Sequence, residues 1–241
     1  MFQETHRFII KHALQFRKKH FKGYEEDIEK ACISEDTPSL SLNPKDISLF
    51  GVDHFYNPKS KTGYSRFFLD AKTKGIYLFE KAVQLYKEEK FKKAFYTLGR
   101  ATHYLQDIAS PSHTKLLLHL TEDDFESYVD ENIHKFRFKI RSRIIPPFKP
   151  DECFERLARK SHRTEYKKQN YMIGLFWNIF KKRKQQDPDK KLDKTSKRLI
   201  KHSIIHTIAL LNAFNRKITK YNHRKKRRKL INKLKHKHQV S

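Results

Sequence analysis

Apolar residues recur along the chain at intervals of three and four, the spacing that gathers them on one face of a helix. Phe8, Ile9, Ala13, Leu14 and Phe16 predict a buried helix over residues 5–21, with Thr5 available as its N-cap. A short helix is expected over 25–32. Pro38, Pro44, Gly51, Pro58 and Gly63 then break any regular pattern across 34–63, a stretch long enough to be functional or disordered rather than a plain connection. Phe67, Phe68, Ala71, Ile76, Phe79, Ala82, Val83 and Tyr86 predict a helix over 64–89. Phe91, Phe95, Leu98, Thr102 and Leu105 form the stripe of another over 91–108, ended by Pro111. Thr121 and Asp124 resemble a capping box opening a helix over 122–138, with Phe125, Tyr128, Val129 and Ile133 inward. Pro146, Pro147 and Pro150 separate this half from amphipathic stretches at 151–160, 170–181 and 191–221. The pattern as a whole predicts an all-α fold.

Composition narrows the class. The chain has 241 residues, few Gly and Pro, and no linker-like stretch, so one helical domain is expected over 1–220, followed by a basic tail at 221–241. No apolar run approaches the ~20 residues needed to cross a bilayer, which predicts a soluble or peripheral protein. His6, Arg7 and Lys11 interrupt the apolar pattern where a secretion signal would need it, so the cytoplasm or a signal-independent export route is the expected address. Cys32 and Cys153 lack ligand spacing and are read as free thiols. The formal net charge of +27 should attract polyanions, either an anionic phospholipid surface or nucleic acid. Much of the excess lies in 217–238, with few apolar residues beyond Leu230, Ile231 and Leu234, and reads as a solvated or partly disordered tail. The bulky apolar set around Trp177, at 171–182, suits a core face or an interfacial contact.

Candidate chemistry is concentrated in the helix over 91–108. Gly99, His103 and Asp107 fall on one face at four-residue steps, and an imidazole and a carboxylate at i and i+4 can share a divalent cation. The missing side chain at Gly99 is read as room for a ligand cluster. His113 follows just past the helix break, Glu126 lies on the next helix, and Asp36 and His54 are loop residues able to close over such a site. Taken alone, the His103 and Asp107 spacing is weak, because fourteen histidines produce such pairs by chance.

Three linked stretches are more specific. HFYNPKSKTGYSRFFLDAKTKG, FKKAFYTLGRATHYLQDIASPSH and FESYVDENI resemble, in order and with compatible gaps, the bacterial zinc-dependent phospholipase C family, which includes the catalytic domain of clostridial alpha-toxin. The resemblance runs from His6 to about Phe138. It implies a multi-helix zinc fold in which His6 is the zinc-binding histidine of the first helix. Asp36 would be the loop aspartate that holds or deprotonates the attacking water. His54, His103 and Asp107 would hold one zinc, Asp107 bridging to a second, and His113 and Glu126 would hold a further ion.

Two positions depart from the family. Its terminal tryptophan ligand has no counterpart before His6, and Glu122 stands where the family has a histidine. The expectation is therefore one well-formed zinc at His54, His103 and Asp107, with up to three ions in all and Glu122 as an altered ligand. The implied activity is hydrolysis of a membrane phospholipid to diacylglycerol and a phosphorylated headgroup, by a monomer adsorbed to the phospholipid surface. Two alternatives stay open: a zinc-dependent single-strand nuclease of the same fold, with nucleic acid held through the basic tail, and a non-catalytic descendant with a partial metal site.

Overall fold

The computed structural model describes residues 3–35, 52–64, 68–117, 124–165 and 188–239. Among these there are helices and short 3-10 turns but no strand, only an isolated bridge between Asn57 and Thr62. The helices are α1 (Gln3–Phe16), α2 (Glu25–Ser34), α3 (Ala71–Lys87), α4 (Phe91–Asp107), α5 (Pro111–Lys115), α6 (Asp124–Asn132), α7 (Pro150–His162) and α8 (Pro188–Gln239). The all-α expectation is met. None of the described helices is long and apolar enough to cross a membrane, and both cysteines are free and buried.

Several ends differ from the expected ones for local reasons. α3 starts at Ala71 rather than near residue 64 because Asp70 caps it, accepting from the Thr73 amide at 2.9 Å and the Thr73 hydroxyl at 2.8 Å. Pro150 does not lie in a separating loop; it takes the first turn of α7, where its missing N–H costs nothing. Thr5 is not the N-cap of α1. It lies within the first turn, and its amide and hydroxyl both donate to Asp130 at 3.1 Å, so α6 supplies from a distance the acceptor that the local sequence does not. α8 continues through residue 221 without a break, carrying the helix into the basic segment. The stretch 170–181, Thr121 and Phe67 lie outside the described residues.

α3 and α4 form a hairpin around Glu89, which takes a left-handed backbone (φ 64°), and pack extensively on each other. α2 lies on α4, while α1 and α7 lie on α8. The core between them is aliphatic and aromatic, with Phe95 meeting Phe214 edge-on at 5.8 Å and Phe79 meeting Phe214 at 6.2 Å. The second half of α4 is buried nearly all round, so its polar residues His103, Tyr104, Gln106 and Asp107 must find partners inside the protein.

Gly99 allows this. A Cβ there would overlap the Ile28 carbonyl oxygen and the Ala31 methyl, so the space beside Gly99 is filled by α2 and not by ligands, contrary to the sequence reading. The close crossing brings the Cys32 carbonyl, one of the four at the end of α2 without an intrahelical partner, to 2.7 Å from His103 Nδ1. Gly99→Ala is expected to force the two helices apart and cost about 1–3 kcal/mol. Urea unfolding of the metal-free protein measures it, and an unchanged midpoint would contradict the close crossing.

Candidate metal centre

The last turn of α4 presents His103 and Asp107 toward residues delivered from two other parts of the chain. His54 comes from the 3-10 turn Val52–His54, and His6 from the second turn of α1. Asp107 is fully buried, with its two oxygens facing different ways. Oδ2 lies 2.6 Å from His54 Nδ1 and 2.9 Å from His103 Nε2, while Oδ1 lies 3.2 Å from His6 Nε2. His103 Nε2 and His54 Nδ1 are themselves 3.2 Å apart, and the His6 and His103 rings stack at 4.2 Å.

Outer nitrogens fix which inner nitrogen can act as a donor to a metal. His6 Nδ1 is 2.9 Å from Gln106 Oε1, His103 Nδ1 is 2.7 Å from the Cys32 carbonyl, and His113 Nδ1 is 3.0 Å from the His54 carbonyl. These oxygens only accept, so each Nδ1 carries a proton and Nε2 is the nitrogen left to meet a cation. Burial, with His103 alongside, lowers the His6 pKa and keeps its ring neutral. For Asp107 burial acts upward, but the His103 and His54 imidazoles outweigh it and hold the carboxyl well below the usual range.

The donor set fits a zinc ion. Neutral imidazoles and a carboxylate are its usual nitrogen and oxygen ligands, and tetrahedral bonds of about 2.0–2.1 Å put donor atoms about 3.3 Å apart, near the 3.2 Å from His6 Nε2 to Asp107 Oδ1 and from His103 Nε2 to His54 Nδ1. The buried His6 Nε2 makes no hydrogen bond although it faces a carboxylate, as a nitrogen aligned for a cation would. His6, His103 and Asp107 offer donor atoms that all lie within 4.8 Å of one another.

A second cluster lies beside the first. Pro111 opens α5 and so places His113 in its short turn, where Nε2 reaches Glu126 Oε1 at 3.2 Å. Burial disfavours a charged ring there, but Glu126 alongside outweighs it and raises the His113 pKa. The two clusters share backbone, since the His54 carbonyl accepts from His113 and the Tyr56 amide donates to the His113 carbonyl at 3.2 Å. Six of the expected ligands, His6, His54, His103, Asp107, His113 and Glu126, are thus gathered in adjacent groups. Asp36 and Glu122 lie outside the described residues.

Sequence reasoning missed the buried shell behind His54. Asp53 accepts from Lys74, which is only 1% exposed, and from the Tyr104 hydroxyl at 3.0 Å; Tyr104 also lies 2.9 Å from Glu35 Oε1. Arg100 closes the chain on Glu35 at 2.8 Å. Burial and both carboxylates push the Tyr104 hydroxyl well above its ordinary value, so it remains protonated. One signal was available: Lys74 falls on the buried stripe of α3 with Ala71, Gly75, Leu78 and Ala82, where a lysine must be paired.

Comparison with known proteins gives a consistent result. The sequence model of a family described as "Zinc dependent phospholipase C" matches residues 5–239. The chain is 30% identical over 146 residues to a phospholipase C of Listeria monocytogenes serovar 1/2a, a match covering 57% of this chain and 49% of that protein. It is 34% identical over 84 residues to a phospholipase C of Bacillus cereus, covering 33% of this chain and 30% of that protein. The chain therefore spans about half, or less, of the curated relatives it matches. Among solved structures, an alpha toxin from Clostridium absonum superposes with a TM-score of 0.62 at 14% identity, over 89% of this chain and 62% of that one. The alpha-toxin of an avian strain of Clostridium perfringens gives 0.62 at 15%, over 88% and 63%. At these identities the likeness carries the fold alone.

Proposed function

The chain belongs to the zinc-dependent phospholipase C family, and on that premise we propose that it hydrolyses the phosphodiester of membrane phospholipids to diacylglycerol and a phosphorylated headgroup. The observation that carries this reading is the convergence of three buried imidazoles on the two oxygens of one carboxylate, with separations of 2.6–3.2 Å. His6, His54, His103 and Asp107 are the proposed ligands of the best-formed ion, and His113 and Glu126, with Glu122, those of a further one. Zinc held there would supply Lewis-acid polarisation of a phosphoryl oxygen and lower the pKa of water towards ~7.

The chain's own groups do the rest. Gln106 and the Cys32 carbonyl hold a proton on Nδ1 of His6 and His103, so Nε2 of each is the nitrogen that would bind the cation. Asp107, itself buried, would balance the positive charge of the bound cation. Asp36, which directly follows Glu35, is the proposed acceptor of the proton from the attacking water. As the water oxygen bonds to phosphorus, the bond from phosphorus to the glycerol oxygen breaks, and the proton taken up by Asp36 passes to that oxygen, which leaves as the diacylglycerol hydroxyl. The acting species is taken to be a monomer.

Zinc-loaded protein offered phosphatidylcholine vesicles and single-stranded DNA in parallel should release phosphocholine, lose that activity to a chelator and regain it with zinc. Release of nucleotides without phosphocholine would replace this reading with the nuclease. Neither product at any zinc level would leave a non-catalytic descendant.

A further inference from the structure

The C-terminal part of α8, we infer, is a tether for anionic phospholipid bilayers that stands apart from the metal centre. Residues 217–238 hold eight lysines, three arginines and no acidic residue. Lys217 reaches Glu80 at 2.7 Å, Lys225 pairs with Glu89, and the Tyr221 hydroxyl donates to the Lys87 carbonyl at 3.2 Å, which lays the helix along the end of α3. Lys220, Arg224, Lys226, Arg227 and Arg228 are exposed, the first, second and fifth along the rim of the groove that α8 forms with Glu80, Val83 and Lys87 of α3. Among the described residues no carboxylate pairs with any of them. Lys220, Arg224 and Arg228 stand four apart on one face, where like charges repel and destabilise the helix. A dense anionic surface would remove that repulsion.

The composition of the segment favours a bilayer over nucleic acid. Leu230, Ile231 and Leu234 recur in the sequence at helical spacing, and Ile231 is 42% exposed. Aliphatic groups amid lysines can enter the headgroup boundary of a bilayer. Residues 222–238 hold no Phe, Tyr or Trp, and the rings there are the small imidazoles of His223, His236 and His238, so the large stacking platforms on which single-strand binders rely are missing from this segment. Lysine outnumbers arginine, which suits diffuse attraction to headgroups better than bidentate readout of phosphates or bases.

Its position sets its role. Asn222 donates to the Tyr86 hydroxyl at 3.2 Å, and Tyr86 packs on Phe91 at the start of α4, whereas His103 and Asp107 lie in its last turns. The 17 residues of α4 place these ends about 25 Å apart at 1.5 Å per residue. The basic segment therefore concentrates the protein at a surface without touching the reacting atoms. The choice of bilayer rests on the phospholipid reading above, and the test keeps the two separable.

Sedimentation with vesicles in the presence of a chelator reports adsorption without turnover. Wild type is expected to bind phosphatidylcholine vesicles containing about 30% phosphatidylserine, to leave pure phosphatidylcholine largely unbound, and to be released by salt. Substituting glutamine at Arg224, Lys226, Arg227 and Arg228 together should weaken binding about 100- to 1000-fold while circular dichroism stays unchanged. Ile231→Ser should weaken it about threefold in a salt-independent way. With zinc restored, both variants should match wild type on a short-chain monomeric phospholipid, so failure of catalysis and failure of the tether show separately. Equal adsorption by wild type and the fourfold variant, indifference to phosphatidylserine, or displacement of bound vesicles by an equal charge of oligonucleotide would overturn the proposal.

Discussion

Asp107→Asn should strip the centre of its zinc and lower phosphodiester hydrolysis about 10³-fold, the scale of losing a preorganised electrostatic contact in a closed site. Asparagine keeps the volume and one oxygen but removes the charge, and its amide would aim N–H groups at imidazole nitrogens that now face a carboxylate at 2.6–3.2 Å. Two of those nitrogens would then accept hydrogen bonds and be lost to a metal. The fold should survive, because the same side-chain positions remain filled and hydrogen-bonded. Metal analysis of the purified variant, set beside thermal unfolding with and without zinc, separates these effects. A variant retaining both zinc and activity would show that Asp107 does not hold the ion.

Lys74→Met or Asp53→Asn alone should cost about 3–5 kcal/mol, because either leaves the other partner buried without its opposite charge. Combining Lys74→Met with Asp53→Leu should recover much of that loss, the apolar pair requiring no solvation. Asp53 also sits next to His54 and accepts from Tyr104 at 3.0 Å. Its replacement should therefore loosen His54 and weaken zinc binding about 10- to 100-fold, as losses behind metal ligands do. Urea unfolding of the metal-free variants gives the first quantity and zinc titration against a chromogenic chelator the second. Additive single and double effects would mean that the pair does not interact.

The sequence carried the helices well where one face is apolar and the other polar. α2, α4 and α7 lie within two residues of the expected spans, because Ile28, Leu98 and Leu157 mark stripes that helical spacing exposes. Ends set by tertiary contacts were not legible. Thr5 looks like an N-cap in any one-dimensional reading, and only the folded chain shows the Asp130 carboxylate arriving from 125 residues away. His103 and Asp107 were legible because one helical turn joins them. His6 was expected through family resemblance alone, since no local rule predicts that α1 brings it to the far oxygen of Asp107. Gly99 was noticed but assigned the wrong purpose: spacing showed that its face was small, and what fills that space is a property of α2. Gln106 was missed because an isolated glutamine carries no signal until a histidine ring is placed 2.9 Å from it.

Glu126 and Asp130 stand one turn apart on α6, the first meeting His113 and the second fastening the start of α1 beside His6. That short helix is thus a common strut under both groups of donors, and whatever loosens it slackens two imidazoles together. Occupancy of either group by an ion would stiffen the strut for the other. Loading should be mutually reinforcing, with half-filled molecules scarce relative to empty and full ones.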